Sequence, residues 1–291
     1  MAQVINSAAN PLVKRVRALA DRKHRRRESA FVVQGIQPVW QAVEAGADIE
    51  VLIVAPDLLR HAGAVAMVAA QEAAGAQVAR MSGELFGRIA DRDGPSGLAA
   101  IVRSAPVELP DLAAGRGSLF AALHSPGNPG NVGAIIRTAS AVGADGVILI
   151  GQPADPYDPV SVKASMGAIF TVPVAIVSSA AEFLDWAHRG AVTVAATSAR
   201  GGVSCWEVEL PLPLAVLLGS EGAGLPAELL AAADTRVAIP MTGTAESLNL
   251  AIAAGVLLYE VRRRTGLPDR RPSGARSGLP GGSLSRPPAG Q

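Results

Sequence analysis

The chain has 291 residues, 49% of them hydrophobic but only 3% aromatic, and 26 Lys and Arg against 25 Asp and Glu leave a net charge of +1. That length suits one large or two ordinary domains with an aliphatic core, and so few aromatics argue against base-stacking platforms for single-stranded nucleic acid. A lone cysteine, Cys205, leaves no intrachain disulfide and no cysteine-rich zinc site, so no metal is expected, and no apolar run is long enough for a membrane span.

Residues 62–76 come nearest to such a run but are interrupted by Gln71 and Glu72, and the first residues lack the apolar core of a signal peptide. The expectation is a soluble, cytoplasmic protein. Its charge is unevenly placed. Residues 14–27 carry a local +7 and the last thirty residues +6, leaving −12 for the body. Two basic ends on an acidic body favour a nucleic-acid partner, although Arg exceeds Lys by 23 to 3 and codon bias alone can place arginine.

In chain order, residues 6–20 open with Asn6-Ser7 and space Leu12, Val13, Val16 and Leu19 helically, predicting a capped helix that leads into the basic stretch. Strands are predicted at 31–33, 49–54, 77–81 and 98–102, with helices at 36–45, 56–74 and 84–89 between them, which describes a small α/β domain over 1–103. Residues 104–118, with two prolines and two glycines, read as an exposed linker. Over 119–266 alternation resumes: strands at 119–123, 146–150, 172–177, 192–196, 215–218 and 237–239, and a closing helix at 247–264. Near-continuous apolar strands separated by helices predict a parallel sheet covered on both faces. Residues 267–291 are Pro, Gly, Ser and Arg, and are expected to be a disordered basic tail.

Three loops concentrate the unusual residues, each after a predicted strand, where open parallel sheets bind their ligands. In His124 to Thr138, glycines at 127, 130 and 133 suit tight turning, and Asn131 and Arg137 place an amide and a permanent cation near one loop; an ordinary turn with a surface arginine reads equally well. In Leu217 to Pro226, three glycines surround Ser220 and Glu221, but no lysine follows and Glu221 would repel an anion, so this is no phosphate loop. A ligand with positive charge, or with an amine and ribose hydroxyls, fits better. Neither loop carries G-x-G-x-x-G, which weakens a dinucleotide reading. In Val237 to Glu260, Pro240 and Gly243 turn the chain and Ser247 and Asn249 open a small-residue helix, for which Ser247 is the candidate N-cap.

The ordered set Asn131-Val132-Gly133 with Arg137-Thr138, then Leu218-Gly219-Ser220-Glu221-Gly222 with Gly224-Leu225, then Ile239-Pro240-Met241 with Glu246-Ser247-Leu248-Asn249, resembles the three motifs of the SpoU (TrmH-like) ribose methyltransferases. The first domain is similar to that family's small RNA substrate-binding module. Many relatives read Phe-x-Val-Glu-Gly where this chain has Phe31-Val32-Val33-Gln34-Gly35, a departure that bears on target choice rather than chemistry.

The resemblance implies a C-terminal parallel-sheet α/β domain tied in a trefoil knot, an exception to the rule against threading, with S-adenosylmethionine bound in the knot and two chains paired as a homodimer. By motif, Asn131, Arg137, Glu221, Ser247 and Asn249 would form the catalytic group, with Glu221 either holding its loop or touching substrate. Thr197, Leu218, Gly219, Ile239, Met241 and Leu248 would line the cofactor pocket. Arg22, Lys23, Arg25, Arg26, Arg27 and Lys163 would meet RNA phosphate. The implied activity is methylation of a ribose 2′-hydroxyl, with large-subunit ribosomal RNA favoured over tRNA because of the added N-terminal domain. Some relatives protect a producer's ribosomes from its own antibiotic, and a non-catalytic RNA-binding role on the same fold is the alternative from another class. Arg137 is the family's favoured base, yet a guanidinium with a pKa above about 12 stays protonated. It would act either deprotonated with help from substrate phosphate, or as a cation beside the developing alkoxide.

Overall fold

The computed structural model describes residues 4–90, 94–198 and 201–266. The basic tail at 267–291 lies outside them.

The N-terminal unit begins with helix α1 (Pro11–Ala18), capped by Asn10 rather than by Asn6 or Ser7: the Asn10 side chain accepts from the Leu12 N–H, and Pro11 takes the first helical position. A second short helix, α2 (Arg22–Glu28), occupies the basic stretch. Then come β1 (Ala30–Gln34), α3 (Ile36–Glu44), β2 (Ile49–Val54), α4 (Ala62–Ala73), β3 (Val78–Arg80), α5 (Gly83–Gly87) and β4 (Leu98–Arg103). The strands form a mixed sheet in the order β1-β4-β2-β3, in which β4 runs antiparallel to both neighbours. Helix α4 starts later than the sequence suggests, at Ala62, because His61 caps it.

The C-terminal unit contains β5 (Leu119–His124), α6 (Pro129–Ala141), β6 (Gly146–Ile150), α7 (Pro159–Ser165), β7 (Val174–Val177), α8 (Ala180–Arg189), β8 (Thr193–Thr197), β9 (Val203–Ser204), β10 (Leu214–Leu218), α9 (Ala227–Ala232), β11 (Thr235–Ala238) and α10 (Leu250–Thr265). Its seven strands are all parallel, in the order β7-β6-β5-β10-β8-β11-β9. Both faces are buried, which is why the strands read as continuous apolar runs. Leu119, Ala121 and Leu123 pack with α6 and α10 on one face; Phe120 and Ala122 pack with α8 and α9 on the other. From β5 the chain works outward to β7, then crosses to β8 on the far side of β10. The order therefore reverses beside β10, and the loops after β5, β8, β10 and β11 share one rim.

One expectation is corrected. Residues 104–118 are not an exposed linker: Leu109 and Leu112 are buried against the sheet, Trp186 donates its indole N–H to the Leu112 carbonyl at 3.2 Å, and Val107 bridges to Ala175. Two arginines of the closing helix tie it to the body. Arg262 is buried and donates to the Val142 and Gly143 carbonyls (3.0 and 2.7 Å), closing the C-terminus of α6, while Arg264 donates to the Cys205 and Val208 carbonyls.

Candidate active site

The glycines of the first loop do different jobs from tight turning alone. Helix α6 is capped by Asn128, whose carbonyl oxygen accepts from the Gly130 and Asn131 N–H groups, so Gly133 lies inside the helix. A methyl group at Gly133 would sit 2.1 Å from the Ser161 carbonyl oxygen; only a glycine lets α7 come this close. Asn131, in the first turn of α6, is held nearly buried.

Both ends of its amide are engaged. Asn131 Nδ2 donates to Glu221 Oε1 at 2.7 Å, and Asn131 Oδ1 accepts from Asn249 Nδ2 at 3.0 Å. Glu221 Oε2 in turn accepts from the Gly127 N–H at 2.9 Å. Three loops that are far apart in sequence are thereby joined by one chain of side-chain hydrogen bonds. Glu221 makes the loop-holding bonds of the first alternative, and it also lines the cleft described below. Burial would raise its carboxyl pKa, but the bonds from Asn131 and Gly127 outweigh that and hold it below the usual glutamate range.

Ser247 is not the N-cap of α10. The helix begins at Leu250, and the Asn249 Oδ1 accepts from the Ala251 and Ile252 N–H groups. Asn249 thus caps the last helix with its oxygen and positions Asn131 with its nitrogen.

Beside this hydrogen-bond chain a cleft of about 490 Å³ opens at the shared rim, a volume suited to a small molecule. Thr197, Leu218, Gly219, Ile239, Met241 and Leu248 all line it, as do Glu221, Ser247 and Asn249. Ser198, Glu246, Leu250 and Leu257 line it too, and sequence reasoning missed them. The loop that forms one wall needs its glycines: a methyl at Gly219 would lie 2.1 Å from the Gly224 carbonyl carbon, and Gly222 and Gly224 hold φ of +88° and +68°. The described lining contains two carboxylates and no lysine or arginine. That donor set fits a sulfonium with an amine and ribose hydroxyls, and disfavours a diphosphate. A second cleft of about 450 Å³ includes Asp185, His188 and Asp234 at the opposite, N-terminal end of β8; it holds none of the motif residues, and Asp234 is committed to the Val194 N–H at 2.8 Å.

Arg137 is not brought into this cluster. Six residues on from Asn131 is about 240° around the helix, which places Arg137 on the solvent face of α6 with Gly130, Ala134 and Ala141. Among the described residues its guanidinium makes no hydrogen bond or ion pair. The adjacent face of α10 exposes Ile252, Val256 and Tyr259 at 56%, 38% and 54%.

Of the residues expected to meet RNA, Arg25 is excluded by burial. It is 4% exposed, pairs with Asp155 and Asp158 (2.8 and 3.3 Å), and donates to the Leu19 and Ala20 carbonyls. Arg22 donates to the Pro153 carbonyl at 3.1 Å, and Arg27 pairs with Glu28 at 3.2 Å. Lys23 and Arg26 are exposed without an ion pair among the described residues, and Lys163 is exposed on α7.

A SpoU rRNA Methylase family model matches residues 118–259, and an MRM3-like substrate binding domain model matches residues 10–100. A 23S rRNA (uridine(2479)-2'-O)-methyltransferase of Streptomyces viridochromogenes is 34% identical over 252 residues, covering 84% of this chain and 87% of the relative. The 23S rRNA (guanosine(2553)-2'-O)-methyltransferase RlmP of Bacillus subtilis is 29% identical over 258 residues, 89% of this chain and 98% of the relative. Among solved structures, an AdoMet-bound rRNA methyltransferase from Sinorhizobium meliloti superposes with a TM-score of 0.83 at 36% identity, covering 90% of this chain and 98% of that one.

Proposed function

The chain belongs to the SpoU rRNA methylase family, and we propose that it transfers a methyl group from S-adenosylmethionine to a ribose 2′-oxygen of large-subunit ribosomal RNA. The observation that carries this reading is the Glu221–Asn131–Asn249 hydrogen-bond chain, which closes one side of a cleft with no lysine or arginine among its described lining residues, at the reversal of a parallel sheet. The segment from Leu218 to α10 is read as the family's trefoil knot.

When bound, S-adenosylmethionine supplies an electrophilic methyl on a sulfonium. Leu218, Gly219, Ile239, Met241, Leu248 and Thr197 would hold it, with the two carboxylates of the lining favouring its positive charge. Glu221 and Asn249 fix Asn131 so that the 2′-oxygen is met by preorganised rather than mobile groups. Ser247 stands exposed at the cleft edge, placed to orient the ribose. Arg137 is read as the cation that stabilises the developing alkoxide, whose proton leaves to solvent or to a neighbouring substrate phosphate.

The position of Arg137 supports a homodimer. The small-residue face of α6 and the exposed Ile252–Val256–Tyr259 stripe of α10 put apolar surface beside Arg137, as expected of a surface covered by a second copy. Pairing there turns Arg137 toward the other chain's cleft. Lys23, Arg26, Arg27 and Lys163 supply phosphate contacts, which give affinity without sequence information. Action on ribosomal RNA places the enzyme in the cytoplasm; among the described residues no helix is long and apolar enough to cross a membrane.

The test is transfer of labelled methyl from S-adenosylmethionine to unmodified 23S RNA, followed by alkaline hydrolysis. The expected product is an alkali-stable dinucleotide at one site. Label on a base, or no transfer to any RNA, would overturn the reading.

A further inference from the structure

The two units meet around α7 in two ways. One part is apolar core: Val162 is buried with the N-terminal sheet, and Phe31 lies 4.7 Å from Tyr157 and 6.0 Å from Phe170. Another is the polar clamp of Arg25 on Asp155 and Asp158. Beside these, a cleft of about 420 Å³ stays open, walled by Val16, Ala20, Val32 and Phe86 from one unit and by Val162 and Lys163 from the other.

Three basic residues occur in its described lining. Arg17 and Lys163 are exposed at its edge, and Arg88 is there too but is paired with Glu84 at 2.6 Å. No carboxylate occurs among the described lining residues. Gln34 also lines it, its amide nitrogen donating to the Ile89 carbonyl at 2.9 Å. Apolar walls with a neutral amide and rim cations suit the face of a base, its polar edge and the flanking phosphate, respectively. The cleft is also close to the chemistry: Val160, one turn before Lys163 and so ~5 Å along the helix, packs beside Gly130 at the start of α6.

We propose that this inter-unit cleft is a nucleotide subsite, which receives one unstacked base of the substrate RNA beside the methylated ribose. The proposal rests on the methyltransferase reading. RNA is read in sequence mostly through bases splayed out of single-stranded regions, and a rigid cleft at a fixed offset from the active site would select which ribose is presented. The clamp of Arg25 keeps the two walls in register.

The experiment compares three variants of the full chain for binding to an unmodified 23S RNA transcript and for the KM and kcat of methyl transfer. Ala20→Trp fills the cleft from an exposed position, Arg17→Glu reverses a rim charge, and Arg60→Glu reverses an exposed charge of the same unit outside the cleft. The loss of one accommodated base should weaken RNA binding and raise KM roughly tenfold or more in the first two, with kcat and S-adenosylmethionine affinity unchanged and Arg60→Glu near wild type. Retained cofactor affinity shows that a variant is folded; should Ala20→Trp lose it, the two charge reversals decide. Wild-type RNA affinity in a folded Ala20→Trp, or equal losses in Arg17→Glu and Arg60→Glu, would overturn the subsite. If wild type transfers no methyl yet these binding differences hold, the methyltransferase reading fails and the subsite stands.

Discussion

Asn249 donates to Asn131 at 3.0 Å while its own carbonyl oxygen caps α10, so one side chain both starts the last helix and aims the buried amide of the first loop. The two duties can be separated. Asn249→Asp keeps the cap, since aspartate caps as well as asparagine, but sets a carboxylate against the Asn131 oxygen. Its expected outcome is a melting temperature close to wild type with activity largely lost, whereas Asn249→Ala should lose activity and about 1 kcal/mol of stability. Equal activity in Asn249→Asp and wild type would remove Asn131 positioning from the mechanism.

Arg137→Ala is expected to abolish nearly all turnover and to leave S-adenosylmethionine binding measurable by calorimetry, because Arg137 lies outside the cofactor cleft. Arg137→Lys keeps the charge but not the guanidinium fork, so partial activity there would support charge stabilisation.

Glu221→Gln replaces an acceptor of two hydrogen bonds by a weaker one and should cost about 1 kcal/mol, given its exposure. Its pKa is lowered in the folded chain. The stabilisation is therefore complete above the unfolded value, about 4.3, and is lost as pH falls through the lowered folded value. Thermal unfolding of both proteins from pH 7 downward should show their gap closing only in acid; a gap that widens in acid would contradict the assignment.

Breaking the clamp should look different from weakening the RNA surface. Arg25→Ala leaves Asp155 and Asp158 facing a buried void, a change worth roughly 3–5 kcal/mol for a buried pair. Lys23→Ala with Arg26→Ala should leave stability unchanged within ~0.5 kcal/mol, weaken RNA binding and flatten its salt dependence by about one unit per lost phosphate contact. Binding titrations across salt concentrations distinguish the two.

Val256→Glu places a charge within the apolar stripe of α10. Sedimentation should show a monomer in place of a dimer, with turnover lost because Arg137 no longer meets a second chain.

What could be read in advance, and what could not, follows from the reach of each signal. The three site loops were legible because each couples glycines with polar residues directly after an apolar strand, a strictly local pattern. The parallel sheet was legible because burial on both faces leaves a continuous apolar run at 119–123 or 214–218. Arg25 was misread because charge in a sequence is only a count: its carboxylate partners lie 130 and 133 residues away. Ser247 and Asn249 are both good capping residues two positions apart, and only the backbone shows where the helix begins. Leu109 and Leu112 are too few to show a period, so their docking was hidden inside a stretch that reads as a linker.

Gly133 leaves no slack between α6 and α7. The helix that carries Asn131 and Arg137 and the helix that carries one wall of the inter-unit cleft touch there backbone to backbone, at Gly133 and Ser161, with no room for even a methyl group. Any side chain at this position would act as a wedge, tilting α7 and with it everything docked on Val162 and Arg25. The distance between where the RNA is gripped and where it is modified is therefore set like the fixed jaw of a caliper, by an absent atom.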